Sequence, residues 1–127
     1  MTTHAIASDA TAAGDTTKTI VDTITLPLNT KRIIGVWGYS EGGAGETTLE
    51  NRSGLLEFES PDIPIQPLQL PLDIVVVLTS GTAAFSPRVW PVDIPVNGQA
   101  RISGYVTMDM AITVANKARF GVIVETN

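Results

Sequence analysis

Between Ala100 and Ile112 the chain alternates. Ile102, Val106, Met108, Met110 and Ile112 share one parity, while Arg101, Ser103, Tyr105, Thr107 and Asp109 occupy the other. A period of two sends successive side chains to opposite faces of an extended backbone, so the segment reads as a half-buried strand. Such a strand needs hydrogen-bonding partners, and the rest of the sequence supplies them. Val, Ile and Thr make up 40 of the 127 residues, a bias towards side chains that suit a pleated surface. No segment of helical length sustains an apolar period of 3.6.

Six further segments read as strands. Thr19–Leu26 places Ile20, Ile24 and Leu26 on one face, interrupted by Asp22. Lys31–Tyr39 spreads Ile33, Ile34, Val36 and Trp37 over both faces, with Gly35 and Gly38 inside it. Gly54–Glu59 sets Leu56 and Phe58 against Leu55, Glu57 and Glu59. Leu72–Thr79 contains the unbroken run Ile74–Leu78, apolar on both faces and therefore expected to be covered on both. Arg88–Ile94 reads as an edge strand, because Pro91 cannot donate to a ladder. Lys117–Glu125 sets Phe120, Val122 and Val124 opposite Arg119, Gly121, Ile123 and Glu125. Thr47–Leu49 would be a brief eighth strand.

Ser40–Glu46 is a glycine-rich loop, and Asn97–Gly98 fits a tight hairpin joining Val92–Val96 to Ala100 onward. Pro61, Pro64, Pro67 and Pro71 make residues 61–71 too proline-rich for a ladder, so an extended crossover is expected there. The expected fold is all-β: an antiparallel β-sandwich of seven to eight strands over residues 19–127. Jelly-roll-like and immunoglobulin-like versions share this spacing, and the cysteine pair that marks the second is absent.

Residues 1–18 read differently. Ten of the eighteen are Ala or Thr, and Ile6 is an isolated apolar residue. Such a segment buries too little to offset the entropy of ordering it. It is expected to be a flexible N-terminal arm, either disordered or laid along a neighbouring subunit. With no basic cluster ahead of an apolar stretch, it does not read as a secretory signal.

Charge and residue inventory exclude several chemistries. Thirteen acidic against eight basic side chains give a net charge of -5, which disfavours direct contact with nucleic acid or anionic lipid. No apolar run approaches the roughly 20 residues of a membrane span. There is no cysteine, and the single histidine, His4, lies in the arm. A Ser-His-Asp triad and a histidine-based zinc site are therefore not expected, and no catalytic residue, metal ligand or cofactor is assigned. Glu57 and Glu59 lie two apart on one strand face, expected to be a solvated face rather than an acid–base pair. Glu41, Glu46 and Glu50 surround the glycine loop without the spacing of a calcium loop.

Two sets of residues remain as candidate binding sites. Trp37 and Tyr39 share a strand face and, with Trp90, are candidates for stacking a ligand such as a sugar. Ile6, Ile74, Val75, Val76 and Val77 are candidates for a subunit interface. Only 17% of residues are charged, against about 25% in an average soluble domain, and the deficit is deepest around Ile74–Leu78. Missing charge of this kind reads as surface meant for a neighbour.

A small jelly-roll-like chain with a flexible arm, no cysteine and no catalytic constellation resembles single-domain virion proteins. Capsid subunits and trimeric decoration proteins of double-stranded DNA viruses are the nearest class. The resemblance implies a structural, non-enzymatic role in building or stabilising a shell. It also implies a homotrimer or larger assembly, a major shell protein as a further partner, and location in the virion. Two other readings are an extracellular filament subunit, with Thr19–Leu26 completing a neighbour's sheet, and a carbohydrate-binding module using Trp37, Tyr39 or Trp90.

Overall fold

A computed structural model describes residues 2–13, 15–42, 53–64, 68–76, 88–112 and 117–127. Among these are nine strands and no helix. They are β1 (Thr2–Ala7), β2 (Thr19–Thr25), β3 (Thr30–Gly42), β4 (Gly54–Glu59), β5 (Leu68–Pro71), β6 (Asp73–Val76), β7 (Trp90–Pro95), β8 (Arg101–Met108) and β9 (Lys117–Thr126). Two sheets pack face to face as a β-sandwich. The five-stranded sheet runs β1-β9-β3, and then β7 and β6 share the far edge of β3. The four-stranded sheet runs β2-β8-β4-β5. All pairings are antiparallel except β3 with β6, which is parallel.

The long strand β3 has room for two partners on one edge. Its first half pairs with β7 (Ile33 opposite Ile94, Val36 opposite Trp90) and its last four residues pair with β6 (Tyr39 opposite Asp73, Gly42 opposite Val76).

The core is the set of inward residues that the alternation of β4, β8 and β9 places there. Leu56, Phe58, Ile102, Val106, Phe120, Val122 and Val124 are almost fully buried. At its centre the ring of Phe120, from the five-stranded sheet, rests on Gly104 of the four-stranded sheet. A Cβ at Gly104 would stand 2.5 Å from the Phe120 ring. Phe58 meets Phe120 edge-to-face, with centroids 5.5 Å apart and planes at 70°, the arrangement that ring quadrupoles favour.

Several expectations change. Residues 1–18 read as a flexible arm, disordered or laid along a neighbouring subunit, yet Thr2–Ala7 form β1 and pair with β9 of their own chain in an unbroken register from Thr2 opposite Thr126 to Ala7 opposite Gly121. Ser8 continues the contact, its N–H donating to Phe120 O while its Oγ accepts from Phe120 N. Thr11 bridges Ala118, Ala13 is buried, and Asp15 O accepts from Met108 N. The pairing stabilises a segment whose own apolar content is too small to do so.

The proline-rich stretch also yields a strand. β5 pairs with β4 from Leu55 opposite Pro71 to Phe58 opposite Leu68. It is an edge strand, where a proline can sit without interrupting a ladder on both sides.

The Asn97–Gly98 turn does not close a hairpin, because β7 and β8 belong to different sheets. Gly98 has the positive φ (87°) expected of turn chemistry, but its N–H donates to Thr30 O and Val96 N–H to Lys31 O. The β2–β3 corner captures the turn and makes it a step between layers. In β2 a bulge between Ile20 and Asp22 shifts the register. Val21 therefore turns inward with Ile24 and Leu26, while Ile20 is left 47% exposed. Ser40, Glu41 and Gly42 belong to β3 rather than to a loop. The proposed strand at Thr47–Leu49, and Val77 with the remainder of the Leu72–Thr79 run, lie outside the described residues.

Candidate interaction face

The outer face of the five-stranded sheet is built from the residues of β1, β9 and β3 that the register points away from the core. Three rows cross it. Ala7, Gly121 and Trp37 lie in register, as do Ala5, Ile123 and Gly35, and then Thr3, Glu125 and Arg32. The Trp37 indole sits directly over Gly121, where a Cβ would be 2.4 Å from the ring. Val89, 48% exposed, lies over Gly35 beside Ile123. Glycine at 121 and 35 lets these side chains lie down on the backbone, which flattens the surface. Trp37 and Ile123 are half-buried, and Ala5 and Ala7 are exposed. The result is an uncharged apolar band across three strands.

Charges close off both ends of the band. At one end Arg32 bridges Asp93 at 3.2 Å and Glu125 at 3.8 Å, tying β7, β3 and β9 together. At the other end Tyr39 is paired with Arg119 and Glu41 with Lys117 in register, and Arg119 Nε donates to Ser8 O. An apolar centre with a charged rim is the composition of a protein–protein contact.

The candidate stacking residues separate. Trp37 and Tyr39 share the outer face, their rings nearly parallel (9°) with centroids 6.1 Å apart. Trp90 faces the other way, because β7 pairs it with the inward Val36. It packs against the core, and Arg88 covers its ring at 4.8 Å. Asp73 holds Arg88 in place through bonds to its backbone N–H (3.0 Å) and Nε (2.8 Å).

The candidate interface residues divide as well. Ile6 points inward opposite Val122, and Ile74 lies opposite Ser40; both pack against the core of their own chain. Val75 pairs through its backbone with Glu41 and Val76 with Gly42. Ile6 and Ile74 therefore face their own core and do not mark the apolar band. Its members are Trp37, Ile123, Val89, Ala5 and Ala7, and the sequence shows only the first of them as a candidate. The small residues beneath and beside Trp37 carry no apolar signal of their own.

On the outer face of the four-stranded sheet, Glu57 and Glu59 do share one side. Lys18 lies between them, bonded to Glu59, 3.6 Å from Glu57 Oε2 and 4.7 Å above the Tyr105 ring. One cation thus bridges both carboxylates and offsets half of their charge. The hydrogen bond that Lys18 donates to Glu59, with Glu57 close by, raises the Lys18 pKa. Among the described residues no group of three or more His, Asp or Glu side chains is placed to hold a metal ion. Glu46 and Glu50 are outside them.

A shallow cleft of about 320 Å³ lies beside Thr25, Gln99 and Ala100, and its two charges, Asp62 and Arg101, pair with each other. Arg101 Nε and backbone N–H donate to Asp62 Oδ2, and Nη2 donates to Oδ1. These bonds, the side-chain ones first, hold the Asp62 carboxyl below its ordinary pKa. A lowered folded pKa contributes stability above the ordinary carboxylate range and loses it as pH falls through the folded value. Asp62→Asn is therefore expected to melt slightly below the wild type at neutral pH, with the two curves converging under acid. Thermal melts from pH 7 to pH 2 measure this; a constant gap down to pH 2 would contradict it. No family model, curated protein or solved structure matches this chain.

Proposed function

We propose that this chain is a structural, self-associating subunit of a shell or a shell-decorating layer, with a jelly-roll sandwich as its scaffold. The observation that carries the reading is the flat, uncharged band around Trp37 on an outer sheet face, flanked by charged residues at both ends, with Arg32 bridging Asp93 and Glu125 at one of them. Strand order supports the scaffold. With the short parallel β6 set aside, the remaining eight strands lie first-eighth-third-sixth in one sheet and second-seventh-fourth-fifth in the other. That order is the one two interleaved Greek keys of a jelly roll would give, which supports this scaffold. The resemblance to single-domain virion proteins rests on this order, the low charge and the apolar face together.

Light scattering at micromolar concentration is expected to show a trimer or a larger species, and electron microscopy to show regular particles. A monodisperse monomer would overturn the reading. Trp37→Ala removes the largest side chain of the band without touching the core. If Trp37 anchors the contact, its loss costs about 2 kcal/mol of association, or roughly thirtyfold in affinity. Circular dichroism should be unchanged.

The near-parallel Trp37 and Tyr39 rings support a second reading, a platform for a glycan. A monomer that binds a glycan array, and loses binding on Trp37→Ala, would establish that reading instead.

A further inference from the structure

The edges of the two sheets are not treated alike. The β7 edge carries Pro91, Asp93 and Pro95, and β6 next to it is only four residues long. The β5 edge is also four residues and ends in Pro71. The β2 edge is bulged at Val21, and Asp22 reaches across it to accept from Asp9 N. Short strands, prolines, bulges and charges are the devices that keep sheet edges from pairing with other chains. β1 has none of them. Thr2–Ala7 is six residues with no Asp, Glu, Lys, Arg or proline and no register shift, and it is exposed along nearly its whole length.

We propose that the edge of β1 that pairs with no other described strand is an assembly seam, and that its occupant is β1 of a second copy, antiparallel about a two-fold axis through Ala5. The proposal rests on the self-association reading and names the surface that carries it. Ser8 N donates to Phe120 O, immediately after the register that sets Ala7 opposite Gly121. Hydrogen bonding in an antiparallel ladder alternates, so Thr2, His4 and Ile6 also face β9. The N–H and C=O groups of Thr3, Ala5 and Ala7 then face the open edge. Only an axis through Ala5 uses all three. It pairs Ala5 with Ala5 and Thr3 with Ala7 of the second copy, for about six hydrogen bonds.

The side chains suit the seam. On the outer face it joins alanine to alanine and threonine to alanine, with no like charges opposed. On the inner face His4 comes beside Ile6 of the second copy and covers its exposed flank. The apolar rows Trp37–Gly121–Ala7 and Gly35–Ile123–Ala5 end at this edge. Pairing there makes the Gly35–Ile123–Ala5 row continuous with its own copy across two molecules, while the Trp37–Gly121–Ala7 row meets the Thr3–Glu125–Arg32 row of the second copy. The edge contact builds pairs, and the band on the joined face links pairs into a larger assembly.

Ala5→Pro tests the seam in the full chain. It removes an N–H that faces the open edge and spares the β1–β9 ladder, and Ala5→Lys adds a charge at the same point. Both are expected to raise the concentration of half-assembly about tenfold or more, with unchanged circular dichroism. Because the chain has no cysteine, Ala5→Cys provides a direct probe. Directly opposed residues in a hydrogen-bonded pair stand about 5.5 Å apart at Cα, within disulfide range. Ala5→Cys should give a covalent dimer under mild oxidation, and His4→Cys, two positions out of register with itself, should not. If the wild type assembles while Ala5→Pro and Ala5→Lys leave assembly intact and Ala5→Cys fails to cross-link, the seam is wrong and self-association stands. A monomeric wild type removes both.

Discussion

Phe120→Ala is expected to bring the fold close to its unfolding threshold. The ring is fully buried, rests on the Gly104 backbone of the facing sheet and meets Phe58 edge-on. Truncating a buried phenylalanine costs about 3–5 kcal/mol, and a domain of this size has only about 5–15 kcal/mol in hand. Urea denaturation at fixed protein concentration measures the loss; a drop under 1 kcal/mol would mean that the two sheets do not meet through this ring.

The same contact can be approached from the other side. Gly104→Ala forces a methyl into the ring and should cost about 1–3 kcal/mol by overpacking. Combined with Phe120→Leu, that methyl occupies space the ring has vacated. The double variant should then be more stable than the sum of the single effects by about 1 kcal/mol, as expected for residues in contact. Additive effects would show that Gly104 and Phe120 are not neighbours.

How much of this core is legible in the sequence depends on which strands write their own pattern. β4, β8 and β9 are half-buried antiparallel strands, so their faces alternate openly and Phe58, Ile102 and Phe120 can be named as core from parity alone. β1 and β5 write no such pattern. Thr2–Ala7 is held by the ladder of β9, and Leu68–Pro71 by that of β4; the stabilising groups lie more than a hundred residues away in the first case. Bulges defeat parity too: one extra residue in β2 exchanges the roles of Ile20 and Val21. The Asn97–Gly98 turn is correct as local chemistry and misread as topology, because the oxygen atoms of Thr30 and Lys31 decide where the chain goes next.

The candidate face divides along the same line. Trp37 and Tyr39 are two residues apart, so their shared side follows from the strand period. The bed under Trp37 comes from Gly121 on another strand, and no inspection of residues 31–39 could supply it. Trp90 looks equivalent in the sequence but reaches the opposite side of the sheet through its pairing with Val36. Lys18 is similar: Glu57 and Glu59 read as a free acidic pair until the segment before β2 brings a cation between them.

Deleting residues 1–13 should therefore do more than trim an arm. A disordered tail could be removed with no change in the unfolding midpoint. Here its removal strips the whole ladder from one side of β9, together with the Ser8 Oγ that accepts from Phe120 N and the two backbone hydrogen bonds between Thr11 and Ala118. Ile6 and Ala13 no longer pack on the core, and Val122 and Val124 lose cover at what becomes a bare edge. At the usual worth of buried apolar surface, these losses amount to about 3–4 kcal/mol. The shortened chain is also expected to aggregate, since β9 would present an unprotected edge. Ala5→Pro and the deletion then give opposite signatures. The first should leave the urea midpoint nearly unchanged at a concentration where both proteins are monomeric, while reducing assembly. The second should lower the midpoint even there. If the deleted protein keeps the wild-type midpoint, β1 contributes nothing to its own sandwich, and the segment is the free arm that its composition alone describes.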